Sequence, residues 1–262
     1  MRCLTADNRY SRSALSPHPP AQTRCRLGVL ALGDSITNGG GELQWGIALQ
    51  SWALWLARGL GLPFTSYAVD GATASDVVRR QIPAFMRRTA NPDARYELGC
   101  LYIGVNDVRG SDWSARPFER DFAAALAFLH ERCDRVVTVT APLKLGRPAA
   151  GVKVAALDDT IERTARRSGA LIVDLRALHA RNLVMADRVH LTALGQIALA
   201  QRALAALARD GCSPRVQPYA LISLNTTRWE RLRGDATYTY RSAKLGVRAL
   251  ALAATGRRSA GR

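Results

Sequence analysis

Three short segments of this chain carry residue types and spacings suited to nucleophilic attack on a carbonyl carbon. Gly33-Asp34-Ser35-Ile36-Thr37 puts a serine at the sharp exit of an apolar run, residues 27–32, that reads as a buried strand. Leu101-Tyr102-Ile103-Gly104-Val105-Asn106-Asp107 repeats the pattern of a strand followed by a polar turn. Asp187-Arg188-Val189-His190 sets an acid and a histidine three apart. A serine hydroxyl is too weak a nucleophile at neutral pH to act unaided: a histidine must take its proton, and a carboxylate must hold that ring in one tautomer and stabilise its charged form. A spacing of three brings Asp187 and His190 to the same side of a helical or turn backbone. The segments therefore offer a nucleophile (Ser35), a base (His190), an orienting acid (Asp187) and an amide donor (Asn106).

Taken singly, each has a purely architectural reading. Gly-Asp-Ser is good turn chemistry. Asn106 and Asp107 suit a turn or the cap of a helix suggested by residues 117–133, and Asp187 suits the cap of a helix beginning near Leu191. What these readings leave unexplained is the order of the segments and their recurrence after successive strand patterns.

Over about residues 28–210 the chain resembles the SGNH hydrolases, also called the GDSL esterase and lipase family, whose blocks carry Ser, Gly, Asn and His in that order. Block one is Gly33-Asp34-Ser35-Ile36-Thr37, with Ile where the family's older name has Leu. Gly104-Val105-Asn106-Asp107 fits Gly-x-Asn-Asp, and Asp187-x-x-His190 fits Asp-x-x-His. The glycine of block two is Gly71, in Tyr67-Ala68-Val69-Asp70-Gly71-Ala72-Thr73, where Val69 stands at a position at which the family often has Asn. The resemblance implies Ser35 as nucleophile, His190 as general base and then acid, and Asp187 as orienting carboxylate. It also implies an oxyanion hole made by the backbone N–H of Ser35, the backbone N–H of Gly71 and the side-chain amide of Asn106. A glycine suits the second donor because a missing Cβ lets the backbone approach the substrate.

These residues need a rigid frame, and the chain supplies an alternating one. Strands are expected at residues 27–32, 64–69, 99–104, 135–140 and 170–175, and helices at 45–60, 74–89, 117–133, 153–168 and 191–209. Short apolar strands alternating with helices indicate a parallel sheet covered on both faces. The expected fold is therefore a flavodoxin-like three-layer α/β/α sandwich with a parallel sheet of about five strands, the site at the carboxyl ends of the strands. A length of 262 residues with 48% hydrophobic content suits one such domain. Trp45, Leu49, Trp52 and Leu56 share one face of the first expected helix, extended by Trp55, and read as core. Trp45 alone is a candidate pocket residue, because it follows the Gly39-Gly40-Gly41 loop, which reads as flexible filler.

Charge is concentrated at the ends. The net charge is +16, of which residues 213–262, with ten Lys or Arg against two acids, carry +8 and residues 1–27 carry +4. The expected organisation is a basic, disordered arm (1–27), a hydrolase domain (28–212) and a basic extension (213–262). The arm lacks the pattern of a signal peptide, and no apolar stretch reaches the length of a membrane span, which points to a cytoplasmic protein. Aromatics interleave with arginines around Trp229 and Tyr240. The extension reads as a solvated appendage or a bracing helix, with contacts to anionic membrane or to nucleic acid as the functional alternatives. Five cysteines (Cys3, Cys25, Cys100, Cys133, Cys212), odd in number and without paired spacing, argue against a disulfide scaffold or a zinc site, and no cofactor is implied. His18, His130 and His179 lack ligand spacing. The reading that follows is a serine esterase acting on a small-molecule ester through an acyl-enzyme. A carbohydrate O-deacetylase or acyltransferase using the same site, and a non-catalytic adaptor binding through its basic segment, stand as alternatives.

Overall fold

A computed structural model describes residues 27–89, 94–147 and 149–259. The expectations for the N-terminal arm lie almost wholly outside these residues. Five strands, β1 (Val29–Gly33), β3 (Phe64–Ser66), β4 (Tyr96–Tyr102), β5 (Cys133–Val139) and β6 (Leu171–Val173), form one sheet in the order β3-β1-β4-β5-β6. Every pairing is parallel, with Val29 opposite Phe64 on one side and Leu98 on the other. This is the flavodoxin order, and its reversal of direction falls between β1 and β4, where a crevice opens at the carboxyl ends of the strands. Val29 to Leu32 of β1 are fully buried, as a central parallel strand covered on both faces must be.

Helices α2 (Trp52–Leu60) and α8 (Ala193–Arg209) pack together on the sheet. So do α6 (Ala115–Arg132) and α7 (Val152–Ser168), preceded by a helical run made of α3 (Ala74–Asp76), a π-helical turn (Val77–Gln81) and α4 (Ile82–Arg88). Two shorter helices leave strand ends: α1 (Ser35–Asn38) after β1 and α5 (Val105–Arg109) after β4. A two-residue parallel pair, β2 (Gly41–Glu42) with β7 (Leu191–Thr192), stands apart from the main sheet. Chain 213–227 returns along α2, with the amides of Arg215 and Val216 donating to Gly59 O, and leads into the long α9 (Arg228–Ser259).

Two expectations are corrected. The helix predicted from Trp45 begins only at Trp52, because Trp45 and Gly46 adopt positive φ (49° and 79°) and the Ser51 hydroxyl caps the helix by accepting from the amides of Ala53 and Leu54. Trp45 and Leu49 are therefore loop residues packed against the core, outside the helical stripe. Nor is Gly39-Gly40-Gly41 loose filler. Gly39 closes α1 in the left-handed conformation, Gly40 N donates to Ser35 O (2.6 Å), and a Cβ on Gly41 would lie 2.1 Å from Leu191 O. The absence of side chains here lets β2 press against β7 and joins the serine segment to the histidine segment.

Candidate active site

The serine is positioned by a strand that cannot continue past it. Gly33 ends β1 with φ 148°, and a Cβ there would meet Tyr102 O at 2.4 Å, so only glycine passes so close to the neighbouring strand. Asp34 caps α1, its Oδ1 accepting from Ile36 N (2.9 Å), and Ser35 is the first residue of that helix. Two buried glutamines clamp the segment. Gln81 receives Gly33 N (3.0 Å) and donates to Gly33 O (2.7 Å); Gln196 donates to Ile36 O and Gly40 O and accepts from Trp52 N.

The histidine stands on a tight reversal. Met185 N donates to His190 O, Val184 bridges Leu191, and Arg188 takes φ 58° at the tip. One Asp187 oxygen accepts the amides of Val189 (2.9 Å) and His190 (3.1 Å), an Asx turn that fixes the carboxylate by its own backbone. The other oxygen lies 2.7 Å from His190 Nδ1, and His190 Nε2 lies 3.0 Å from Ser35 Oγ. Asp187 is not the cap of α8; Thr192 is, accepting from Gly195 N.

The charges around this line of bonds are mutually consistent. Burial opposes ionisation of Asp187, but hydrogen bonds from the His190 ring and from two amides outweigh it and hold the carboxyl below its ordinary range. The hydrogen bond to Asp187 raises His190 above 6.5 in spite of partial burial. An ionised Asp187 is acceptor only, so the neutral ring carries its proton on Nδ1 and presents Nε2 as the acceptor for the serine hydroxyl. Asp34 beneath them is fully buried, and desolvation raises it from 3.8 to about 7.

Gly71 and Asn106 stand on segments that are tied to the serine helix and to each other. Beyond β3 the chain stays paired to β1, with Tyr67 N donating to Ala31 O and Val69 N to Gly33 O, and then turns at Gly71 (φ 74°). The open space at the Gly71 Cβ position leaves its backbone accessible. Asn38 of α1 donates to Asp70 (2.9 Å), which ties this turn to the serine helix. Asn106, in α5, donates one amide N–H to Ala72 O (2.9 Å). Asp107 beside it accepts from Ala74 N at the start of α3, and burial raises it to about 6. Neither residue caps α6, whose N-cap position is Ser114. Ser35, His190 and Asp187 thus form a hydrogen-bonded line, while Gly71 stands on a turn tied to α1 through Asp70, and Asn106 in α5 is tied to the same turn through Ala72. Gln81 and Gln196 escaped sequence reasoning; their only trace is a polar residue inside an otherwise apolar helical face.

Trp45 does line a cavity. About 380 Å³ in volume, it lies between residues 42–46, the segment ahead of Asp187 and α9, with Glu42, Arg181, Asn182 and Ala186 among its walls. Neither Ser35 nor His190 lines it.

Among solved structures the chain is similar to a variant of an acetyl xylan esterase from Geobacillus stearothermophilus, with 19% identity, 72% of this chain and 96% of that one covered, and a TM-score of 0.53. It is similar also to a member of the lipolytic protein G-D-S-L family from Veillonella parvula (18%, 70% and 98%, 0.55) and to an alpha/beta hydrolase from the metagenome of Lake Arreo, Spain (20%, 70% and 96%, 0.54). At these identities the likeness is one of fold. No curated protein sequence matches this one. The model of the GDSL-like lipase/acylhydrolase family matches residues 31–198, more than half of the chain and every residue of the site just described. The chain belongs to the GDSL-like lipase/acylhydrolase family and is an ester-hydrolysing enzyme.

Proposed function

We propose that the protein is a serine esterase that cleaves carboxylic esters through an acyl-enzyme. The observation that carries this reading is the continuous line Ser35 Oγ, His190 Nε2, His190 Nδ1, Asp187 Oδ2, with separations of 3.0 and 2.7 Å. Ser35 Oγ attacks the ester carbonyl while its proton passes to His190 Nε2. The tetrahedral oxyanion is held by the N–H of Ser35, the N–H of Gly71 and the Asn106 amide proton that Ala72 O does not take. Collapse breaks the ester C–O bond, and His190 returns the proton to the departing alkoxide. Water then repeats the attack on the acyl-serine, giving its proton to His190, and releases the acid and Ser35 Oγ–H.

One feature supports O-deacetylation of carbohydrate as a second reading: the similarity to an acetyl xylan esterase. A panel of p-nitrophenyl esters of increasing chain length, run beside acetylated xylo-oligosaccharides, separates the two readings by kcat/KM. Ser35→Ala tests both: covalent labelling by a fluorophosphonate is expected to disappear with the fold intact, and labelling that survives would place the nucleophile elsewhere.

A further inference from the structure

Helix α9 is built the wrong way round for a helix that braces a domain. At 3.6 residues per turn, Asp235, Tyr238, Ser242, Leu245, Gly246 and Ala249 share an arc of roughly 100° and are the partly covered positions of the helix as far as residue 249. The N-terminal half of the seam, Asp235, Tyr238 and Ser242, is polar. Asp235 pairs with Arg181 (2.7 Å), Ser242 accepts from Arg147 through Oγ (2.7 Å), Arg231 on the same arc sits over the Trp45 ring, and from the flank of the helix Arg241 pairs with Glu42 (2.7 Å). The opposite arc, roughly 80° wide, holds Trp229, Leu232, Ala236, Tyr240, Ala243 and Val247, all turned to solvent. Trp229, Leu232, Tyr240 and Val247 are 65%, 59%, 66% and 66% exposed. A helix serving only this domain places its apolar stripe inward. Here the apolar stripe faces out, and ion pairs hold the helix to Glu42 of β2 and to Arg181 in the segment ahead of Asp187.

The charges beside the stripe name its partner. Arg233, Lys244 and Arg248 project along one flank, and between Asp235 and Ser259 the helix contains no acid. We infer that the outward face of α9 is a docking surface for an anionic lipid bilayer, with the apolar stripe entering the interface and the flanking cations meeting anionic headgroups. A second copy of this chain fits poorly, because pairing two stripes would bring two sets of these cations together on molecules that each carry a net charge of +16. Nucleic acid would satisfy the cations but leave Leu232 and Val247 uncovered, since neither side chain has an aromatic face on which a base can stack. Among the described residues no helix is long and apolar enough to cross a membrane, so the association is a peripheral one. Glu42, Ala186 and Asp187 share a second cavity with Arg241, Lys244 and Arg248. Docking by α9 therefore sets the acid side of the active site close to the lipid surface.

The test is co-sedimentation of the full chain with vesicles of phosphatidylcholine alone and of phosphatidylcholine mixed with phosphatidylglycerol. Binding is expected to the mixed vesicles and to weaken as salt is raised. Replacing Trp229, Leu232, Tyr240 and Val247 together by Ser is expected to lower the partition coefficient by at least about tenfold. Neutralising Arg233, Lys244 and Arg248 to Gln is expected to lower it by about a hundredfold. Turnover of a water-soluble ester should stay unchanged in the Ser variant, whose four positions line neither cavity, which separates failure of docking from failure of the esterase assignment. Absence of binding to the mixed vesicles, or equal binding by the Ser variant, would overturn the inference. So would tighter salt-dependent binding to a single-stranded oligonucleotide, or a stripe-dependent dimer seen in sedimentation velocity.

Discussion

Asp187 holds His190 twice: one carboxylate oxygen accepts the His190 backbone N–H at 3.1 Å, and the other faces Nδ1 of the same residue at 2.7 Å. The acid thus fixes both the position of the ring and its tautomer, from only three residues away. A carboxylate placed in this way raises the basicity of the ring, and the consequence is measurable in the pH dependence of turnover.

His190 must be neutral to accept the Ser35 proton, so kcat/KM is expected to fall as pH drops through the His190 pKa, which Asp187 raises above 6.5. Asp187→Asn removes the charge that stabilises the imidazolium, so the acid limb should shift to lower pH while the plateau rate drops by several orders of magnitude. A pH–rate profile of both proteins on one soluble ester decides this. An unmoved limb would mean that the group titrating there is not His190.

Asn106 and Asp107 are adjacent yet serve different ends. Replacing Asn106 by Ala removes an oxyanion donor and should lower kcat by about 100-fold or more with little change in KM, while the loss of its bond to Ala72 O costs only about 1 kcal/mol of stability. Asp107→Ala leaves Ala74 N without its acceptor and should cost about 1–2 kcal/mol, with kcat per folded molecule nearly unchanged. Steady-state kinetics together with thermal melts measure both. A stable Asn106→Ala enzyme with near-normal kcat would remove this residue from the mechanism.

The chemistry of the site was legible because each element of it is local. Ser35, Asn106 and the pair Asp187/His190 all sit in short motifs just after an apolar run or before a helix, and an acid three residues from a histidine needs no knowledge of the fold. The strand starts were not legible in the same way. β4 begins at Tyr96 and β5 at Cys133, earlier than the apolar runs suggest, because Glu97 and Asp134 interrupt the pattern while the backbone pairing continues through them. Trp45 carries helical apolar spacing in sequence, but positive φ at Trp45 and Gly46 takes the chain out of the helix there. The partners of Gln81 and Gln196 lie 48 and up to 160 residues away, so sequence offers only a polar residue in an apolar face. Composition disclosed the basic character of residues 213–262; the outward direction of their apolar residues emerged only once α9 was seen against the domain.

Gln196 tests how far the serine helix depends on that distant clamp. Gln196→Met keeps the volume and strips a partner from Ile36 O, which keeps Gly39 N, and the Gln196 partner from half-buried Gly40 O and buried Trp52 N. Stability is expected to fall by about 2 kcal/mol, since an unpaired buried polar group costs about 1–3 kcal/mol. Below the melting transition kcat should also drop, because α1 and the Gly40 segment that follows it each lose a fixed point. Chemical denaturation and kinetics on the same preparation provide the check, and an unchanged unfolding midpoint would show that water replaces the amide without loss.

Asp34 makes a prediction of opposite character, about stability alone. It is fully buried, its Oδ2 has no hydrogen-bond partner, and desolvation lifts its pKa from 3.8 to about 7. A raised carboxyl pKa means that the folded chain keeps a proton which the unfolded chain has released, so the group's contribution to stability is fully present below 3.8 and is lost as pH rises to about 7. Asp107 and Asp158, raised to about 6 and about 7 by burial, act in the same direction, and wild-type Tm is expected to decline over this window. Asp34→Asn keeps an oxygen for the Ile36 amide and cannot ionise. Its Tm relative to wild type should therefore climb steadily from about pH 4 to about pH 7 and then level off. Differential scanning fluorimetry across that range reads the difference directly. A difference that stays flat would show that Asp34 is already charged in the folded enzyme, with His190 rather than a bound proton balancing it.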